Sequence, residues 1–404
     1  MKALIIGGGI AGPAAAIALH EAGIDSVVHE AHAASADDVG VFLTLGSNGI
    51  DALRTIGADA PAVAAGFPTP AIDMVSTTGK ALGRVRTSRP DGDITSRTLK
   101  RADLYRAIRD EALRRGIRIE PGKRLVGAQD TEGAVRAVFA DGSEECGDLL
   151  IGCDGLHSTV RGLIDPTAPA PAYSGLIGLG GYTSGVPVDA RTGSYRMVFG
   201  KRAFFGYVPA PDGEVWWFAN VPRSAEPARG ELERIDSEQW RRRLIELFAD
   251  DIGPAVDLIR ASREITPAGP MHAMATLPVW HRGRMIVIGD AAHAPSPTSG
   301  QGASLSIEDA VELAKALRDR PTIESAFTAY EALRRPRVER IVKQAARINN
   351  NKAAGPTGRI LRDLLMPLIL PRLANGEQSR RTYGHHIDWD APTATIEGAG
   401  RPRR

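Results

Sequence analysis

The sequence predicts an α/β protein: a parallel-sheet domain written in several pieces, an antiparallel sheet inserted between them, and helices towards the C-terminal end. Three observations predict it. An apolar N-terminal run meets a glycine turn and then an Ala-rich segment. Aromatic and β-branched residues alternate through a long middle span punctuated by Pro and Gly turns. Late in the chain a second apolar run, Arg284 to Asp290 (RMIVIGD), resumes the first texture, and three helically spaced segments follow it.

The elements follow in order. Lys2 to Ile6 (KALII) reads as a buried strand and ends in Gly7-Gly8-Gly9-Ile10-Ala11-Gly12, a G-x-G-x-x-G turn. Pro13 to Ala22 reads as a helix, with Gly23 placed as its C-cap glycine, and Ser26 to His29 as a second strand ending on Glu30. A strand, a glycine turn, a helix and a strand closed by a carboxylate form the Rossmann dinucleotide fingerprint. Gly7 permits the tight turn, Gly9 lets backbone approach a pyrophosphate, and Gly12 lets helix and strand pack closely. Ile10 and Ala11 open the helix whose N–H groups face the phosphates, and Glu30 is placed to accept from ribose hydroxyls. Asn48 to Ile56 is spaced as a helix. Residues 71–85 read as a hairpin turning at Thr78-Gly79, Arg101 to about Arg115 as a helix, and 124–146 as a β-meander leading to the strand Asp148 to Cys153.

The inserted sheet is expected over 173–268, carried by Tyr195–Phe199, Phe204–Val208 and Val215–Pro222, with an amphipathic helix at Ser237–Ala249. One face of it is expected to lie over a pocket, and Met197, Phe205, Tyr207, Trp217 and Pro297 are the candidate substrate contacts. Aromatics in such a sheet are more often core than ligand contacts. The first domain is then discontinuous, over 1–72, 98–172 and 269–350, with a hairpin at 73–97 over the inserted domain. A C-terminal helix and a polar, loose tail fill 351–404.

Composition excludes several classes. The 404 residues are 43% hydrophobic and 24% charged with a formal net charge of +2, which gives no electrostatic reason for nucleic acid. No apolar run approaches the length that spans a bilayer, and Leu364 to Leu370 is interrupted by Pro367. The first strand is expected to begin at residue 2, so no signal peptide is expected. Cys146 and Cys153 form neither a disulfide framework nor a metal pattern, and suit a reducing, cytoplasmic setting. A monomer or a homodimer is expected.

Two further strand-to-acid junctions point to a flavin. Leu149 to Gly155 (LLIGCDG) places Asp154 at a strand end, before Ser158-Thr159-Val160-Arg161. Ile286 to His293 (IVIGDAAH) places Gly289 and Asp290 likewise, before Pro297 and Gly300-Gln301-Gly302-Ala303. Ligands collect at such strand ends in open α/β sheets. Asp290 suits ribityl or sugar hydroxyls, and the helix opening at Gly300–Ala303 can stabilise negative charge on a reduced flavin. The resulting expectation is a Rossmann-like FAD-binding domain holding FAD non-covalently, since no His or Cys is placed for attachment. No metal site is expected: His293 lies inside the flavin motif, and His385-His386 has neither partners nor spacing. No catalytic base is assigned, because the flavin carries the hard step.

The stretches GGGIAG (7–12) with Glu30, CDGLHSTVR (153–161) and GDAAHAPSPTSGQGASLSIEDA (289–310) resemble the single-component flavoprotein aromatic hydroxylases, the family with the para-hydroxybenzoate hydroxylase fold. The look is closest to its salicylate hydroxylase-like, urate hydroxylase-like and tetracycline-inactivating branch, over about residues 2–375. Arg101 matches the family's flavin-contacting arginine, and Tyr330 to Arg340 its late helix. The resemblance implies a monooxygenase: NADPH or NADH binds transiently, O2 adds to the flavin as a C4a-hydroperoxide, and an oxygen passes to an aromatic, phenolic or polyketide-like small molecule. The residues agree that no second fingerprint for a nicotinamide exists. A flavin halogenase would need W-x-W-x-I-P, but Ala219 stands two after Trp217. A flavoprotein reductase or dehydrogenase, or a ligand-sequestering flavoprotein, remain the alternatives on this fold.

Overall fold

The computed structural model describes residues 1–33, 41–89, 93–274, 276–296, 299–352, 356–374 and 377–393. Pro297, expected at both the cofactor and the substrate, lies outside them. A six-stranded sheet ties the pieces of the first domain together. Its order is His281–Arg282, Met285–Val287, Leu149–Gly152, Lys2–Ile6, Asp25–His29 and Arg118–Glu120, parallel throughout except at the His281–Arg282 edge. Ala3 to Ile6 are buried, so this central strand reads as a continuous apolar run rather than an alternating one. The Ala11–Glu21 helix lies against the Gly302–Asp319 helix, and its buried Ala14, Ala15, Ala16 and Ala18 let the two approach closely. The meander forms its own three-stranded sheet from Leu125–Thr131, Ala134–Phe139 and Glu144–Gly147.

The inserted domain is a seven-stranded sheet ordered Thr266–Ala273, Ala172–Thr183, Val215–Pro222, Phe204–Pro209, Tyr195–Phe199, Ala71–Ser76 and Ala81–Arg86. The last two strands are the early hairpin, turning at Gly79 with φ +78°. Register decides which side chains share a face. Trp217 pairs with Tyr207 and Gly181, and Phe205 with Ala219 and Val198. All of these point to the side covered by the Ser237–Phe248 and Ala255–Ala261 helices, where Phe205, Tyr207 and Trp217 pack with Trp240, Leu244 and Phe248. The expectation that these three line a substrate pocket is therefore corrected. Trp217 is fully buried, its indole N–H donating to Ser262 Oγ at 2.8 Å, and it stacks on Phe205. Met197 points to the opposite side, in register with Gly206 and Met74.

The tail is also corrected. Residues 377–393 dock on the first domain instead of trailing from it. Ile387 is buried in the main core, Trp389 lies under the Arg318 guanidinium, and Thr393 N donates to Asp319 Oδ2 at 2.7 Å. Two apolar anchors and a few long-range donors suffice to hold a polar segment, and neither is visible in local composition. Ahead of it, the Pro356–Ala374 helix turns Met366 inward against Phe199 and Phe204. Its other side leaves Ile360, Leu361, Leu364 and Leu368 exposed. No helix among the described residues is long and apolar enough to cross a membrane.

Candidate cofactor and substrate cleft

The three motif glycines differ in a way that identifies what they face. Gly7 has φ +107°, and a Cβ there would lie 2.4 Å from Cys153 O. A Cβ on Gly12 would lie 1.9 Å from Gly7 O, whereas one on Gly9 would meet nothing within 4 Å. The first and third glycines are thus required by the protein's own packing. The second leaves open space beside the N-terminus of the Ala11–Glu21 helix, where a pyrophosphate binds. Ile10 caps that helix without a side-chain bond, and its carbonyl accepts from Ala14 N. Glu30 folds back over the turn, accepting from Gly8 N at 2.7 Å and His32 N at 2.8 Å.

The second junction behaves differently from expectation. Asp154 Oδ2 accepts from Thr159 N at 2.7 Å and Val160 N at 3.1 Å, and its other oxygen takes the Ser158 hydroxyl. Burial raises the Asp154 carboxyl above its ordinary value, and these bonds pull it back. Its carboxylate is a cap for the Thr159–Ile164 helix rather than a group turned to a ligand. Arg161 then ties this junction to the third, donating to Ala291 O at 3.1 Å.

At the third junction the Asp290 carboxylate receives no hydrogen bond from the described residues. Gly289 takes φ +59° against Ser306 and Ala11, which brings Asp290 beside the fingerprint helix. Burial raises the Asp290 carboxyl, while His293 and Arg101 draw it down. Gly302 lies next to it, a Cβ there reaching 3.7 Å from Asp290 Oδ1. Gly300 (φ +60°) and Gln301 turn the chain into the Gly302–Asp319 helix, with Ala303 in its first turn. Arg101, exposed at the start of the Arg101–Arg114 helix, has its N–H on Val41 O at 3.3 Å. Glu30 thus lies on the fingerprint turn, Gly289 packs on Ala11, and Gly302 and Arg101 are neighbours of Asp290.

Beneath the Gly300–Ala303 turn lies a charged network that sequence reading missed. Glu308 accepts from Asn48 Nδ2 (2.6 Å), Arg334 (2.7 Å) and Arg337 (2.7 and 2.8 Å), and Asn48 also donates to Gln301 Oε1 at 3.0 Å. Asp309 accepts from Arg334 at 2.7 Å and Gly289 N at 3.0 Å, with His293 Nε2 at 2.5 Å. Burial would raise both carboxyls, but their arginine and histidine neighbours hold them below the usual range. His293, inside the flavin motif, is turned to the Asp309 carboxylate. The signal was present: Glu308-Asp309 and Arg334-Arg335 put charge on helices whose neighbours are core.

His385-His386, taken as partnerless, has carboxylate neighbours. His386 Nδ1 lies 2.6 Å from Asp51 Oδ2 and His385 Nε2 3.8 Å from Glu312 Oε1. Burial pushes His385 down to about 4 despite Glu308. The unfolded chain therefore takes up a proton near pH 6.5 that the folded chain refuses until about pH 4. Stability accordingly rises with pH across that window, by up to about 1.4 kcal/mol per unit from this group. His385→Gln is expected to flatten urea-unfolding stability between pH 4.5 and 7. An unchanged slope would place the imidazole in solvent. Elsewhere, His29, Glu120 and Glu145 lie within 4.8 Å of one another, but Lys2 and Arg118 already pair with the carboxylates.

The sheet meets the first domain across Val41-Phe42. Tyr182 OH donates to Val41 O at 2.8 Å, and the Phe42 ring stands 5.5 Å from Trp216 and 6.2–6.4 Å from Tyr195, Phe218 and Tyr182. An aromatic sheet face thus lies across one short segment from Arg101 and Asp290.

A fingerprint cradle, a buried strand-end carboxylate and a helix opening on glycines define a dinucleotide-binding α/β protein with an opposed aromatic sheet. Residues 1–345 match the family described as FAD binding domain. The chain belongs to that family, and it is an FAD-dependent monooxygenase. It is 31% identical over 362 residues to the aurachin C monooxygenase/isomerase of Stigmatella aurantiaca, covering 86% of this chain and 88% of the relative. It is 30% identical to an FAD-dependent urate hydroxylase of Klebsiella pneumoniae, covering 85% and 88%. The solved Klebsiella pneumoniae HpxO complexed with FAD and uric acid superposes with a TM-score of 0.82 at 25% identity, over 95% of this chain and 97% of that one. The residues present fit FAD in kind: Gly9 leaves open space at a helix N-terminus, which suits a pyrophosphate, and Asp290 is a strand-end carboxylate, which suits sugar or ribityl hydroxyls.

Proposed function

We propose that the protein uses NADPH or NADH and O2 to transfer one oxygen atom to an aromatic, phenolic or polyketide-like small molecule lying between the flavin and the inserted sheet. One observation carries this reading: the aromatic sheet face stands across Val41-Phe42 from Arg101 and Asp290. FAD, when bound, supplies hydride acceptance and oxygen activation. The chain's residues do the holding. Gly7, Gly9 and Gly12 with Ile10 and Ala11 cradle the pyrophosphate, and Glu30 exchanges its Gly8 bond for ribose hydroxyls. Asp290 accepts from the ribityl chain, Arg101 lines the flavin, and the Gly302–Asp319 N-terminus stabilises negative charge on the reduced ring. Nicotinamide binds transiently, since the sequence offers one dinucleotide fingerprint.

A true substrate is expected to raise NAD(P)H oxidation at least about tenfold, with matching oxygen uptake and a product heavier by one oxygen. A reductase would turn over without oxygen, and a sequestering protein would show no stimulated turnover. If a molecule shown to bind the cleft leaves both rates unchanged, the reading fails.

A further inference from the structure

The Pro356–Ala374 helix has its polarity turned inside out. Its inner side carries charge. Arg362 is buried, with its guanidinium over the Phe199 ring at 4.9 Å and 2.7 Å from the Asp363 carboxylate, and Arg359 donates to Lys201 O. Met366 shares that side, packed with Phe199 and Phe204. The outer side carries Ile360, Leu361, Leu364, Leu365, Leu368 and Ile369. Ile360 is 71% exposed, and Leu364 and Leu368 are each 62% exposed. At about 100° per residue these six positions fall on one half of the helix. A surface helix ordinarily turns such a stripe to the core and its charges to water. Single exposed leucines need no explanation, but a contiguous apolar patch marks a surface that meets something.

Charge and size together say what it meets. Lys80, at the tip of the early hairpin, donates to Asp363 O at 3.1 Å. Arg84 and Arg86 are exposed on the Ala81–Arg86 strand against which the helix packs, and Lys201 and Arg202 are exposed where Arg359 lands. Asp73, Asp250 and Asp363 offset part of this rim. Along the chain, residues 352–381 carry six basic and two acidic side chains. The apolar side chains expose on the order of 600 Å², short of the roughly 800 Å² that each partner of a stable protein pair contributes. Pairing with a second copy across a two-fold axis would also set one basic rim beside another. A lipid surface of negative charge suits both features. Apolar side chains sink to the acyl boundary, and the cations around them lie among the headgroups.

We infer that this helix docks the protein on an anionic bilayer surface, lying in the headgroup plane without crossing it. The inference goes beyond the oxygenation reading and does not depend on it, because docking needs neither substrate nor turnover.

The test sediments the FAD-loaded full chain with vesicles of phosphatidylcholine alone, or of phosphatidylcholine and phosphatidylglycerol in equal parts. In about 0.1 M salt the anionic vesicles are expected to bind at least about tenfold more tightly than the neutral ones. Raising the salt to about 0.5 M is expected to weaken that binding at least about threefold. The double variant Leu364→Ser with Leu368→Ser is expected to lose at least about tenfold, with wild-type melting temperature and FAD content, since both side chains stand in water. Lys80→Glu is expected to lose about fivefold on anionic vesicles only. No sedimentation with anionic vesicles overturns the inference, as does equal binding to neutral ones. A folded double variant that binds as the wild type does overturns it too. A wild-type dimer in light scattering that the double variant splits, with no vesicle binding, would give this face to a second copy instead.

Discussion

Gly9→Val is expected to leave the fold intact and to weaken FAD binding at least about a hundredfold, because added carbons fill the space a pyrophosphate needs. The expectation comes from an asymmetry among the motif glycines. A side chain on Gly9 points into open space, so the apoprotein has nothing to rearrange. Gly12→Val is expected to behave otherwise: its Cβ would stand 1.9 Å from Gly7 O, so the helix must shift away from the first strand. Thermal unfolding of the two apoproteins, set beside FAD titration, separates the cases. Gly9→Val should melt with wild-type apoprotein and stay colourless, and Gly12→Val should melt well below it. A Gly9→Val protein that purifies yellow with stoichiometric FAD would remove the pyrophosphate from this turn.

Glu308→Ala is expected to destabilise the protein by about 3–5 kcal/mol, because it leaves buried cations without their counter-charge. Glu308 receives hydrogen bonds from Asn48, Arg334 and Arg337 at a fully buried site. Removing it leaves Arg334 with Asp309 and the Leu305 carbonyl, and Arg337 with backbone carbonyls of the tail, such as Thr382 O. Asn48 also holds Gln301, so the turn that opens the Gly302–Asp319 helix should loosen and FAD should weaken as well. Pairing Glu308→Leu with Arg337→Met is expected to recover part of the loss, since a well-packed apolar pair can replace a buried ion pair. Urea unfolding of the single and double variants measures both. A single-variant loss under about 1 kcal/mol would mean that the network is solvated rather than buried.

The fingerprint, the strand-end acids and the discontinuity of the first domain were legible because each is written in contiguous residues. Gly7 to Gly12 needs only its flanking strand and helix to be recognised. Asp290 could be placed at a strand end from IVIGD alone. Asp154 looked equivalent in LLIGCD, yet Thr159 and Val160 N–H groups lie within its reach and claim its carboxylate. The same local text gives a helix cap at Asp154 and, at Asp290, a carboxylate with no hydrogen bond from the described residues, and only the direction of the side chain separates them.

By itself the sequence determined that this chain folds as an α/β protein around a dinucleotide cradle, because glycine spacing and apolar runs act over a few residues. Tertiary structure alone decided which face of the inserted sheet turns to Val41-Phe42 of the first domain. Phe204 and Phe205, or Trp216 and Trp217, are adjacent in sequence and equally apolar, and a one-residue change of register would exchange their faces. Burial on both sides removes the alternation that would have shown the difference: Phe204 packs by Met366 and Phe205 by Phe248. The docked tail was closed to sequence reading, and the Glu308–Arg334 network showed only as charge on core helices, because partners such as Asn48 and Glu308, 260 residues apart, meet only when the core has closed.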